Sequence, residues 1–140
     1  MKIDYTNKNV IEDEINIHDS IFEGFLYKEN ERMLLLKLNN YCLNRIFTLQ
    51  FCNILILNCE MCQFWGESPN VLDWEVSENE HLIKEIMKKQ NNNKKLYKYS
   101  LVDEEMFYIE TIITLTSGDT INIVCEYVEF QEEILDKCKK

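Results

Sequence analysis

The stretch Met106-Phe107-Tyr108-Ile109-Glu110-Thr111-Ile112-Ile113-Thr114-Leu115-Thr116-Ser117-Gly118-Asp119-Thr120-Ile121-Asn122-Ile123-Val124-Cys125-Glu126-Tyr127-Val128 contains two apolar runs on either side of Ser-Gly-Asp. β-branched and aromatic residues flanking a Gly-containing turn are the signature of a β-hairpin. The pattern also chooses a register. A two-residue Gly-Asp loop would set Leu115 against Asn122 and Ile113 against Val124, which mixes the faces. A loop at 117–119 sets Leu115 against Ile121, Ile113 against Ile123 and Ile109 against Tyr127. That register keeps one face apolar, and it is preferred because a one-residue slip inverts every side chain.

Working outward, the same period of two recurs. Ile15, Ile17 and Ile21 alternate with polar residues, then Phe22, Phe25, Leu26 and Tyr27 follow, with Gly24 interrupting as a bulge would. Met33–Leu36 is a continuous apolar run suited to a central strand. Arg45–Asn58 is the longest strand candidate, with a change of phase around Cys52-Asn53. Residues 59–70 read as an aromatic loop carrying Phe64, Trp65, Gly66 and Pro69. Val71–Val76 places Leu72, Trp74 and Val76 on its buried face, and Lys95–Val102 reads as a further strand. Residues 1–14 read as an irregular arm or short helix, and the charged tail after Glu129 as a short helix.

One segment changes period. Leu82, Ile83, Ile86 and Met87 form a stripe at helical spacing. Ser77 and Glu80 fit a capping box ahead of it, Lys88 and Lys89 suit the last turn, and Asn91-Asn92-Asn93 marks its end. The expected fold is therefore α+β and mainly β: an antiparallel sheet, sandwich or partly open barrel, of about seven strands with one covering helix near 78–90. Length fits a single domain spanning 1–140.

Composition narrows the function classes. Of 140 residues, 46% are apolar, which suits a packed core rather than a disordered polyanion. Asp and Glu number 25 against 15 Lys and Arg, a formal charge of −10. Nucleic acid is not an expected partner, because phosphate neutralisation needs a basic face. The charge is uneven: acid concentrates in 12–31, 103–110 and 126–136, and lysine in 84–98. Alanine is absent and Arg occurs only at 32 and 45, a bias that fits an AT-rich bacterial genome. No apolar leader follows Met1 and no run approaches membrane-spanning length, so a cytoplasmic location is expected, with no membrane partner.

Several constellations are candidates for chemistry. Cys59-Glu60-Met61-Cys62 is a C-x-x-C, but a loop-like sequence follows it, not the helix that a redox motif needs. Cys42 and Cys52 are too widely spaced to make the second half of a zinc knuckle, so reduced, inert cysteines are expected and no cofactor. In the preferred register Glu110 and Glu126 are cross-strand neighbours, a possible paired-carboxylate site. Trp65 and Trp74 are candidate binding aromatics. His18-Asp19 lacks the further His and Asp ligands of a metal phosphohydrolase, since His81 is the only other histidine.

His18-Asp19-Ser20 opening a strand with Ile21, Phe22 and Phe25, then Met33–Leu36, then Phe47–Phe51, and a final hairpin through Ile121–Cys125, resembles small bacterial "HD"-strand domains of the toxin-immunity-protein type. The resemblance implies a non-enzymatic binding protein that blocks a toxin, and the charge of −10 points to a basic one. Candidate surface residues are then His18, Asp19, Trp65, Trp74, Glu110 and Glu126. Self-association is left open. A small-ligand-binding β domain with an aromatic pocket is the alternative, and an enzyme the least favoured reading.

Overall fold

The computed structural model describes residues 1–60, 70–77, 80–97 and 107–135. Its elements run β1 (Lys2–Ile3), α1 (Val10–Asp13), β2 (Ile21–Lys28), β3 (Met33–Asn40), β4 (Arg45–Glu60), β5 (Val71–Val76), α2 (His81–Tyr97), β6 (Ile109–Leu115) and β7 (Thr120–Ile134), with a 3-10 turn at Glu29–Glu31. Seven strands form one antiparallel sheet in the order β2-β3-β4-β7-β6-β5, with β1 added beside β7. The sheet is not closed. Ile21 of β2 and Asn70, just before β5, form a single isolated bridge between its two edges.

The spine is the β4–β7 ladder, which runs from Arg45 opposite Ile134 to Glu60 opposite Thr120. β7 therefore continues through the charged tail where a short helix was expected. A strand paired along its whole length satisfies its backbone groups there, and alternation lets Phe130 stay in the core between exposed glutamates. β4 likewise takes Cys59 and Glu60 from the expected loop; residues 61–69 of that loop, with Trp65 and Cys62, lie outside the described residues.

The inner face carries the main core, including Leu34, Leu36 and Leu38 of β3, Phe47, Leu49 and Phe51 of β4, Ile109 and Ile113 of β6, and Ile121 and Ile123 of β7. The outer face is covered in part by α2, whose Leu82, Ile83, Ile86 and Met87 pack, with Leu55 and Ile56 of β4, against the buried Tyr108 and Val124. The apolar stripe is thus the packing face predicted from spacing. Among the described residues no helix is long and apolar enough to cross a membrane.

The hairpin register differs from the expected one by two residues. Ile113 pairs with Ile121, Thr111 with Ile123, Ile109 with Cys125 and Glu110 with Val124. Gly118 decides it: with φ +91 it takes the left-handed position that closes a three-residue loop, so the loop is 116–118 and Leu115 N–H donates to Asp119 O at 2.9 Å. A shift of two preserves the faces but separates Glu110 from Glu126. The predicted carboxylate pair does not exist.

Other boundaries also move. Residues 15–20 are irregular, with a turn at His18-Asp19, and β2 starts only at Ile21. The register shift between Phe22 and Gly24 is the bulge foreseen at Gly24. Asn53 has φ +54, and the β4–β7 register shifts between Ile54 and Ile56, slightly beyond the predicted break. A second shift between Val71 and Asp73 throws Leu72 outward, so Val71, Trp74 and Val76 face the core. α2 runs through the Asn run to Tyr97, where a strand had been expected from Lys95; each Asn costs a helix only about 0.7 kcal/mol or less. Residues 98–102 of that strand lie outside the described residues. The first 14 residues hold both β1 and α1.

Candidate functional site

The irregular segment 15–20 and the edge strand β5 enclose a half-open cavity of about 260 Å³. Its apolar wall is Ile11, Ile17 and Trp74, all buried, with Ile15 partly so. Its rim is polar and exposed: Glu12, Asn16, His18, Asp73 and Glu75. α1 and the bulge at Leu72 create this arrangement. The bulge turns Trp74 inward while Asp73 and Glu75, on either side of it, stay in solvent.

Trp74 is 4% exposed, stacked edge-on against Phe51 with ring centroids 6.1 Å apart. Its indole Nε1 is buried with no hydrogen-bond acceptor among the described residues. It is a core residue at the cavity wall, not an exposed hot spot. Trp65, the other candidate binding aromatic, lies outside the described residues.

The rim carboxylates are committed to backbone or to nothing. Glu12 Oε1 accepts from Val76 N–H at 3.1 Å, and Asp73 Oδ1 accepts from Trp74 N–H at 2.9 Å. Among the described residues no lysine or arginine forms an ion pair with Glu12, Asp73 or Glu75. Among the described residues the rim therefore presents three carboxylates and one imidazole with no lysine or arginine paired to the carboxylates.

His18 and Asp19 belong to a structural turn at this rim. The Leu72 carbonyl, 2.6 Å from His18 Nδ1, can only accept, which places the ring proton on Nδ1. His18 Nε2 lies 3.4 Å from Asp19 Oδ1. Asp19 has φ +65, a conformation that short polar side chains tolerate. The backbone of the turn then stitches the two sheet edges: Asp19 N–H donates to Val71 O at 2.9 Å, and Val71 N–H to Ser20 O at 2.8 Å. Asn40, fully buried in β3, donates to His18 O at 3.0 Å and to Ser20 Oγ at 3.2 Å. The sequence pattern sets His18 at the opening of a strand. Its partner in fact lies across the seam, on β5.

The other predicted pair is split. Glu110 is 3% exposed beneath α2, and its Oε1 accepts from the N–H groups of Leu82 at 2.6 Å and Ile83 at 3.2 Å. It caps the helix from the sheet. The Ser77–Glu80 capping box does not form, because α2 begins only at His81 and Glu80 has φ +47. Glu80 instead lies 3.6 Å from Lys8 Nζ. Glu126 accepts from Asn53 Nδ2 on the neighbouring strand. Neither glutamate is part of a two-carboxylate site.

Burial raises the pKa of Cys52, Cys59 and Cys125, most strongly for Cys125 in the core. These thiols are held protonated, the opposite of an activated nucleophile. Among the described residues no three His, Cys, Asp or Glu side chains converge as metal ligands. Cys62, needed for the C-x-x-C, lies outside the described residues.

No family model matches this chain, and no curated protein matches it.

Proposed function

We propose that the chain is a binding module that receives a basic protein surface at the β5 rim, in the manner of an immunity-type inhibitor. The observation that carries this reading is the unneutralised carboxylate set Glu12, Asp73 and Glu75 around a cavity with an apolar wall. An arginine or lysine from a partner would lay its aliphatic stem along Trp74 and Ile17 and its charge among the carboxylates. The overall charge of −10 speeds encounter with such a partner.

The test is capture of the protein encoded beside this chain's gene, followed by salt titration. Binding should weaken as salt rises, and Asp73→Lys with Glu75→Lys should abolish it while the fold persists. A captured partner that is indifferent to both charge reversals overturns the proposal.

A second reading, a small-ligand site, rests on Trp74 lining the cavity. At about 260 Å³ the cavity is slightly smaller than such pockets, which run from about 300 Å³ upward. A change in tryptophan emission on adding a cationic metabolite, lost in Asp73→Lys, would favour it over the protein partner.

A further inference from the structure

The cavity lining holds Glu12 of α1, Asp73 and Glu75 of β5, and His18 as its ionisable side chains. Three are carboxylates. The fourth is a histidine, the side chain whose charge ordinarily changes between about pH 5 and 8. Its ring is bracketed by acceptors: Nδ1 lies 2.6 Å from the Leu72 carbonyl oxygen, and Nε2 lies 3.4 Å from Asp19 Oδ1. A carbonyl and an ionised carboxylate have no proton to give. A neutral ring with its proton on Nδ1 serves Leu72 and turns a lone pair toward Asp19. A second proton, on Nε2, converts that contact into a charge-assisted one and leaves the first bond in place. The side chain is half-exposed, so solvent can deliver that proton.

We propose that the β5 rim is gated by protons: protonation of His18 gives the rim a cation of its own and lowers its affinity for the basic side chain of a partner. This gate rests on the reading of the rim as a receptor for a basic surface.

The charged groups around the ring are of one sign. Asp19 lies on its own turn, Asp73 and Glu75 on β5, and Glu12 on α1. β3 contributes the neutral Asn40, which donates to the His18 carbonyl at 3.0 Å, and the neutral Asn16 accepts from His18 N–H at 3.1 Å. Among the described residues no lysine or arginine lines the cavity. With its carboxyls ionised, the lining thus carries three negative charges when His18 is neutral, and a net charge one less negative when it is protonated. The walls do not need to move for this, because the bond from Nδ1 to Leu72 is common to both states of the ring. A proton and an arriving cation therefore compete through charge alone, and each weakens the binding of the other by the same factor.

The test uses N-acetyl-arginine amide, a single guanidinium without charged ends, titrated into the full chain at constant ionic strength. Binding is followed by the amide resonances of Asp73, Trp74 and Glu75. The dissociation constant should rise about three- to tenfold from about pH 8 to pH 5.5, as one added unit charge at a half-exposed rim can produce. His18→Asn offers Leu72 a short donor that does not titrate. Whatever its affinity at pH 8, that affinity should change by less than about twofold at pH 5.5. His18→Lys carries a permanent cation, so it should bind more weakly than the unaltered chain at pH 8 and lose little more on acidification. Circular dichroism checks the fold of both variants. The unaltered chain gives the same answer without a substitution: the His18 ring resonances should titrate at lower pH with N-acetyl-arginine amide present than without it. An affinity independent of pH in the unaltered chain, an equal fall in His18→Asn, or a His18 titration indifferent to the arginine compound overturns the gate. No binding at pH 8 overturns the cation-receptor reading itself, and the gate with it.

Discussion

The two edges of the sheet are finished in different ways. β5 is short and bulged, and side-chain carboxylates satisfy its amides at Trp74 and Val76. α1 lies alongside it. β2 is longer, and its middle presents apolar side chains and little else. A capped edge offers charge and shape to a partner but no backbone ladder. An open edge offers the ladder itself.

The contrast can be broken by substitution, most severely on the β5 side. Trp74→Ala removes a ring packed on Phe51 and Phe130 and should cost about 3–5 kcal/mol in chemical denaturation. Behind β5, Glu110→Ala leaves two α2 N–H groups without their acceptor. The expected loss is about 1–3 kcal/mol, with amide exchange accelerated in α2 ahead of the sheet. At the seam, Asn40→Ala should cost about 1–2 kcal/mol and expose the Ser20 and Val71 amides to exchange. Glu12→Ala uncaps Val76 and should cost about 0.5–1.5 kcal/mol, read as a small fall in the denaturation midpoint. On β2 the same measurement should barely respond: Leu26→Ser should stay within about 0.5 kcal/mol in a dilute sample. A large loss there would mean that the edge is already covered within one chain.

What the residues announced and what they hid divides along the range of the interactions. The stripe Leu82, Ile83, Ile86, Met87 is local, and so is its reading as a packing face. The cap of that helix is Glu110, distant in sequence, and no local pattern could indicate it; Ser77 and Glu80 offered a plausible local substitute that the left-handed Glu80 excludes. The hairpin's faces were legible because alternation fixes parity. Its register was not, because two registers share that parity and only the left-handed demand at Gly118 separates them. That signal was present in the sequence and was assigned to the wrong loop position. The cavity rim was half legible: His18 and Trp74 stood out, whereas Glu12, Asp73 and Glu75 became neighbours only through the bulge at Leu72.

The spine has a consequence for synthesis. β4 needs β7, and Arg45 meets Ile134 near the far end of the chain. While a ribosome is still adding residues 61–119, β2, β3 and β4 can already form a meander, but β4 has no partner on its other side. The nascent protein then carries an unpaired edge built from Phe47, Leu49, Phe51 and Ile54, longer than any edge of the finished fold. The hazard lasts until residues 120–134 have been made, so slowed translation of residues 61–119 should lower the soluble yield more than slowed translation of residues 1–44.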